Sequence, residues 1–481
     1  MMAKPRKLFS SAVGLNKSQL ELDFVDVTVD GDLPLFIDPF AISQRQEPWA
    51  MDAHGTIIDY FGRIVQAIRT GDRISARTLL SFLSEPNETR LGYSKDKPRG
   101  AGIGGFQAEQ LLRALESSSA VQTGFLTNLE EAELMVEGIS WDKMSDLTTN
   151  IIRRHLAEYT KDQCDLHGIA THAVALPPWY DPSTGSWVSD YLDLPVVGGS
   201  AVLLVPRVIA RYSPAYDHRK YYSQFVLSFL QVEHLEAGSS LVRVLKDGRR
   251  RVYKQDLKAL YPKTKESLFE FSKTHPEVLR EYREELERLE VRKDIQVDRQ
   301  DEQALAAILT QVLGAIPAGS ADASAYHRLI VGIVEFVFFP NLGFPRKEQE
   351  IHQGRKRIDI LLENGARAGI FSRLHRNRGL PSAFIAMECK NYRTEVGNPE
   401  LDQLAGRFSP NRGQIGFLVC REFEDRARFI ERCRDTFKDQ RGLIVPLDDR
   451  TILELLDSIR VGRRSEVDAQ ISRLVDEVWI S

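Results

Sequence analysis

Cysteine is scarce in this chain. Four residues, Cys164, Cys389, Cys420 and Cys433, are scattered over 481 positions without a single CxxC pair. That excludes a disulfide framework and a cysteine-based structural zinc site, and it fits a reducing compartment. Long apolar runs are also missing. The richest, LIVGIVEFVFF from Leu329 to Phe339, is too short for a bilayer span and contains Glu335, so no membrane partner is expected. The opening MMAKPRKLFSSAVGL is basic but holds no apolar stretch of signal-peptide length, and the expected location is the cytoplasm. Neither sign of charge is in excess: 64 Lys and Arg face 68 Asp and Glu, for a formal net charge of −4. This excludes a general nucleic-acid coat protein, so any grip on nucleic acid must come from a local basic patch. No internal repeat and no low-complexity tract is present.

What is present suits a globular chain of several domains, with 42% hydrophobic and 27% charged residues. Three regions are expected. Residues 1–175 read as an α+β domain. LELDFVDVTV (Leu20 to Val29) alternates like a half-buried strand, Asp38-Pro39 marks a turn, and Thr56 to Ile68 and Asp146 to Thr160 have helical spacing. Residues 176–320 read as a mixed region, strand-like over Ala201 to Tyr212. From about Lys246 to Asp301 they carry a highly charged stretch whose i,i+4 pairs suggest an exposed helical arm or spacer. Residues 321–481 change pattern. A helix (AYHRLIVGIVEFVF) precedes a β-hairpin turning near Gln353-Gly354, and the strand SAFIAMECKNY follows. The helix NPELDQLAGRF, the strand QIGFLVC, the helix DRARFIERCRDTF, the strand GLIVPL and the helix TILELLDSIR complete it. The expected fold is α/β, a mixed sheet flanked by helices.

Within this last region charges sit where a buried strand should be apolar. In FIAMECKNY, Glu388 and Lys390 share one face of the strand, because residues two apart point the same way. In RIDILL, Asp359 stands between two isoleucines on the preceding strand. If the strands are neighbours, the three side chains converge at one sheet edge. Two carboxylates so placed oppose each other's ionisation unless a cation lies between them, and an all-oxygen donor set favours Mg2+ or Mn2+. A metal of that kind polarises a phosphoryl oxygen and acidifies water, and a neighbouring lysine orients the water or stabilises developing charge. That is a design for phosphodiester hydrolysis.

The order apolar-Asp-apolar, then Glu-x-Lys on the next strand, resembles the PD-(D/E)xK nuclease superfamily, closest to the restriction-endonuclease-like members of type IV restriction and Holliday-junction cleavage. The resemblance covers about Ala325 to Arg460 and departs from the family in having no proline before Asp359 and a long gap between Asp359 and Glu388. It implies a metal held by Asp359, Glu388 and the backbone carbonyl of Cys389, with Lys390 assisting the water. It also implies supporting roles for Glu335 on the preceding helix and Gln403 on the following one. Glu335 has a plainer reading as the partner of His327, Arg328 or another basic group. The gap holds Arg355, Lys356, Arg357, Arg373, Arg376 and Arg378, expected on a loop or hairpin tip that grips phosphates.

The function implied is a metal-dependent endonuclease in restriction or anti-phage defence, acting on DNA ahead of RNA, with an N-terminal specificity or assembly module. A homo-oligomer or a defence-system protein is the expected partner. The alternatives are a non-cleaving nucleic-acid-binding or scaffold protein on the same fold, and an RNA-cleaving effector. Two other motifs carry less. RGAGIGGFQAEQLL (Arg99 to Leu112) puts glycines before a helix but lacks the Lys-Ser/Thr of a P-loop, and HGIATH pairs His167 with His172 without a third ligand.

Overall fold

A computed structural model of the chain describes residues 7–92, 105–290, 299–347, 359–376 and 379–479. Two large hydrophobic cores organise them. The first runs from Phe9 to Leu286 and takes in Phe344, and the second gathers residues from Leu305 to Val478 together with Leu20 and Leu166.

In the first core the long helix α1 (Pro48–Thr70) starts on a proline and stops at Gly71, whose left-handed φ of 75° ends the helix. The stretch Asp146 to Thr160 is divided between α2 (Trp141–Ile151) and α3 (Arg153–His167), separated at Ile152 where ψ opens to 14°. Leu20 to Val29 is not a half-buried strand. Gln19–Glu21 is a 3-10 turn, and the residues beyond it are buried on both sides. Their backbone divides its hydrogen bonds among Val205, Lys7 and Phe9, so no single partner strand sustains a ladder. Ala201 to Tyr212 likewise holds only the short strands Ser200–Ala201 and Ala210–Arg211, with Pro206 between them.

The charged stretch is not a detached arm. It folds into helices that include α4 (Lys265–Thr274) and α5 (Pro276–Glu290). Leu268, Phe269, Val278, Leu279, Tyr282 and Leu286 from these helices belong to the first core. The i,i+4 charges cover the outer face, while the apolar stripe of each helix is buried in the domain.

The second core is a mixed α/β unit. Helices α6 (Arg299–Ala315) and α7 (Ala323–Phe338) precede strands β1 (Leu342–Arg346) and β2 (Ile360–Asn364). Then come α8 (Gly369–Arg376), β3 (Phe384–Lys390), α9 (Asn398–Ala405) and β4 (Ile415–Cys420). The chain finishes with α10 (Arg426–Lys438), β5 (Leu443–Asp448), α11 (Asp449–Arg460) and α12 (Glu466–Trp479). The five strands lie in the order β1-β2-β3-β4-β5. β1, β2 and β3 are antiparallel neighbours, whereas β3, β4 and β5 are parallel and joined through α9 and α10. Every residue of β4 and β5 is buried, as expected of strands covered on both faces. The turn of the expected hairpin and nearly all of its first arm lie outside the described residues; its second arm is β2, which pairs with β1 just upstream, Leu342 opposite Asn364 and Arg346 opposite Leu361. Among the described residues no helix is long and apolar enough to cross a membrane.

The first domain covers the β1 edge of this sheet, so that its backbone is not left open. Phe344 stacks on Trp49 at 4.9 Å and gives its amide hydrogen to Asp23 at 3.2 Å. Gln163 donates to the Pro345 carbonyl at 2.8 Å, and the Trp49 amide donates to Glu363 at 2.9 Å.

Candidate active site

β2 and β3 bring the site together by where their ladder stops. The last rung pairs Ile360 with Met387, so Asp359 stands one step beyond it, in phase with Glu388. Alternate amides of a strand point to the same neighbour, and the Cys389 amide follows Met387 towards β2 just where the ladder ends. The Asp359 carboxylate accepts that hydrogen at 2.8 Å. The bond fixes the carboxylate against β3, and by the same alternation the Cys389 carbonyl points to the same side.

Glu388 is wholly buried, and each of its oxygens faces a cation. Lys390 Nζ lies 3.2 Å from Oε2, and Arg407 Nη1 lies 2.9 Å from Oε1, an ion pair whose angles do not make a hydrogen bond. Lys390 also reaches Gln403 Oε1 at 3.4 Å. Burial, then the charge of Asp359, push the Glu388 carboxyl up to about 7, against the pull of Lys390 and Arg407. Burial pulls Lys390 down, but the Glu388 and Asp359 carboxylates outweigh it and hold the ammonium above its ordinary range. Burial and the same two carboxylates raise the Cys389 thiol, so it is not a ready thiolate.

His327, on the first turns of α7, completes the group. One ring nitrogen of His327, a carboxylate oxygen of Asp359 and the Cys389 sulfur lie within 4.8 Å of one another. Burial lowers the His327 pKa, against the attraction of Asp359, and the neutral imidazole this favours is the form that binds metals. The His327 ring, the Asp359 carboxylate and the Cys389 sulfur are the donors the structure brings close enough for one cation, while both Glu388 oxygens face protein cations; Glu388 would have to release Lys390 to join them. The nitrogen tilts preference from Mg2+ towards Mn2+ or a later transition metal.

Of the residues singled out in the sequence, Asp359, Glu388, Cys389, Lys390 and Gln403 are brought together. Glu335 is not. It lies two turns beyond His327, roughly 12 Å along the helix, and faces the first domain instead. There Lys17 Nζ is 3.5 Å from one oxygen and His167 Nε2 is 3.8 Å from the other. The plainer reading of Glu335, partner to a basic group, holds with Lys17 in that place.

Arg373 and Arg376 also lie elsewhere. They belong to α8, a helix and not a loop tip, which joins the far ends of β2 and β3. The length of β3 separates them from Lys390 by roughly 20 Å. Arg373 donates to Ser472 Oγ at 3.2 Å, and Arg376 donates to the Gln46 side chain. Arg355, Lys356, Arg357 and Arg378 lie outside the described residues, as do the glycines of Arg99 to Gly104. His167 and His172 do not form a pair: His167 ends α3, buried against Glu335, and His172 is exposed on a short strand.

Two functional candidates escaped the sequence reading. Arg407 stands four residues after Gln403, one helical turn on, and that spacing was the available signal. His327 had no local signal, because its proximity to Asp359 comes from the packing of α7 on the sheet.

A family model described as a domain of unknown function (DUF8370) matches residues 14–217, less than half the chain and all within the first domain. No curated protein and no solved structure matches.

Proposed function

We propose that the chain is a divalent-metal-dependent phosphodiesterase acting on nucleic acid, DNA ahead of RNA, through a PD-(D/E)xK-like centre in the second domain. One observation carries the reading: Asp359, held by the Cys389 amide at 2.8 Å, meets the Glu388–Lys390 pair, itself 3.2 Å apart, at the end of adjacent strands. The order of strands and helices around that edge agrees with the resemblance seen in the sequence. Asp359, Glu388, the Cys389 carbonyl and His327 are the residues that would hold the cation. When bound, the cation supplies Lewis acidity to a phosphoryl oxygen and lowers the pKa of water.

The chain's own contribution follows from its charges. Lys390 is a protonated ammonium with two acceptors, Glu388 and Gln403, at 3.2 and 3.4 Å. It supplies positive charge where charge builds on phosphorus, and Gln403 limits where that ammonium can stand. Asp359 keeps its orientation because its carboxylate accepts from the Cys389 backbone amide, a donor fixed by the strand. The first domain, which covers the β1 edge, would serve as a specificity or assembly module in restriction or defence.

A second reading, a protein that binds nucleic acid or a partner without cutting, is favoured by one feature: both Glu388 oxygens already face protein cations. A nicking assay separates the two. The purified chain is incubated with supercoiled DNA, and in parallel with single-stranded DNA and RNA, in Mg2+ or Mn2+, with Lys390→Ala as control. Cleavage by the parent and not by the variant supports the enzyme; no cleavage of any substrate, with the variant indistinguishable, leaves the binding protein.

A further inference from the structure

We infer that Arg407 is a positioning residue that acts as a built-in counter-ion, balancing the carboxylate cluster before any divalent cation arrives and so setting how tightly that cation is held. The inference rests on the metal-dependent reading above. Arg407 is 3% exposed, just beyond the C-terminal end of α9. Its Nε donates to the Gln403 carbonyl at 3.3 Å, which anchors the guanidinium to the helix end, and its Nη1 stands 2.9 Å from Glu388 Oε1. Among the described residues Glu388 is the sole carboxylate within ion-pair distance of it. An arginine does not give up its proton in a protein, so this charge is permanent.

The cluster then contains two carboxylates, Asp359 and Glu388, and two cations, Lys390 and Arg407. The cations differ in kind. Lys390 has a flexible stem and a second acceptor in Gln403 at 3.4 Å, so it can leave Glu388 Oε2 without losing all its partners. Arg407 is clamped and stays on Oε1. One oxygen of Glu388 is therefore reserved for the protein and the other is exchangeable. A fixed positive charge beside the same carboxylate repels an incoming divalent cation, so affinity is held below what two free carboxylates would give. The orientation of Glu388 is fixed in return.

The test uses the full chain and Mn2+ alone as probe, by calorimetry and by thermal unfolding with and without Mn2+ at pH 8. Arg407→Met is expected to bind Mn2+ at least tenfold more tightly than the parent. Its metal-free melting temperature should fall, and saturating Mn2+ should restore it towards the parent value. DNA cleavage at saturating Mn2+ should be at least tenfold slower, because Glu388 is no longer held. Arg407→Lys keeps the charge and should stay within threefold of the parent in Mn2+ affinity; it also carries the test if the methionine variant does not fold. A folded Arg407→Met with equal or weaker Mn2+ affinity overturns the inference, as does a more than tenfold change in Arg407→Lys. If the parent binds Mn2+ and cleaves while the variants match it, only the role of Arg407 falls. If neither parent nor variant binds Mn2+, the metal-dependent reading falls with it.

Discussion

Replacing Glu335 by glutamine tests whether this residue serves the carboxylate cluster or the junction between the two cores. Its carboxyl is fully buried, and burial raises it from 4.5 to about 8, with Lys17 opposing and Asp23 adding to the rise. His167 does not help to charge it, because burial and then Lys17 press that imidazole down to about 3. The folded chain therefore keeps the Glu335 proton up to about pH 8, while the unfolded chain releases it near 4.5. Folding takes up a proton between those values, so stability falls as pH rises through that window, and below it the residue contributes nothing. Some three and a half pH units at about 1.4 kcal/mol each set a ceiling of about 5 kcal/mol on the cost above pH 8. That ceiling already includes the pull of Lys17 at 3.5 Å, and relaxation and water entry around a buried charge bring the cost below it. A net stabilisation of about 2 kcal/mol is the working figure, or roughly 4–8 °C in melting temperature for a domain of this size. Thermal unfolding of parent and Glu335→Gln at pH 5 and pH 9 should show near-equality at the lower pH and the variant melting higher at the upper one. Its cleavage rate should stay within threefold of the parent. An unchanged pH slope refutes the burial argument, and loss of cleavage with the fold intact returns Glu335 to the catalytic group.

Three further outcomes are expected. Lys390→Ala should slow cleavage by about a hundredfold or more while Mn2+ binding by calorimetry is retained, since the lysine adds charge stabilisation and is not a ligand. Arg373→Ala and Arg376→Ala, at the far ends of β2 and β3, should leave the affinity for a DNA duplex within twofold and its dependence on salt unchanged in fluorescence anisotropy. Arg153→Met should cost about 3–5 kcal/mol in urea unfolding. Arg153 is fully buried, 2.7 Å from Glu88, and donates to the Pro178 carbonyl at 2.6 Å and to Asn150 at 2.9 Å, so its loss leaves the partly buried Glu88 without its counter-ion.

The α/β pattern of the second domain was legible in the sequence because strand and helix periods alternate there with little interference. β3, β4 and β5 fall on the apolar runs expected of them, and Asp359, Glu388 and Lys390 were visible as charges interrupting such runs. Three features were not legible, each for a physical reason. The alternation of Leu20 to Val29 predicts a strand with one wet face, but the segment is buried on both sides and Asp23 and Asp26 are accommodated by partners distant in sequence. Tyr159 donates to Asp23 at 2.8 Å, and Ser10 donates to Asp26 at 2.6 Å. The charges of α4 and α5 suggested a solvated arm because composition counts all faces of a helix alike, whereas packing uses one stripe. The arginines of α8 suggested a phosphate grip because they are near Asp359 in sequence. The topology, an antiparallel turn from β2 into β3 by way of a helix, sends them to the opposite end of these strands.

That topology also argues against treating the second domain as a module that works alone. Its edge strand β1 contributes Phe344 to the first core, while Leu20 and Leu166 of the first domain belong to the second. Across the same boundary Glu335 meets Lys17, and Glu363 takes the Trp49 amide and is raised by burial to about 7. Excision near residue 320 would expose Phe344 and the β1 backbone and would leave two buried carboxyls facing water without their partners. The helix that carries Glu335 also carries His327, so one element joins the junction to the imidazole beside Asp359. If the junction influences the carboxylate cluster, α7 is a helix that touches both, and a truncated chain that folds yet binds Mn2+ with unchanged affinity would show that no such route operates.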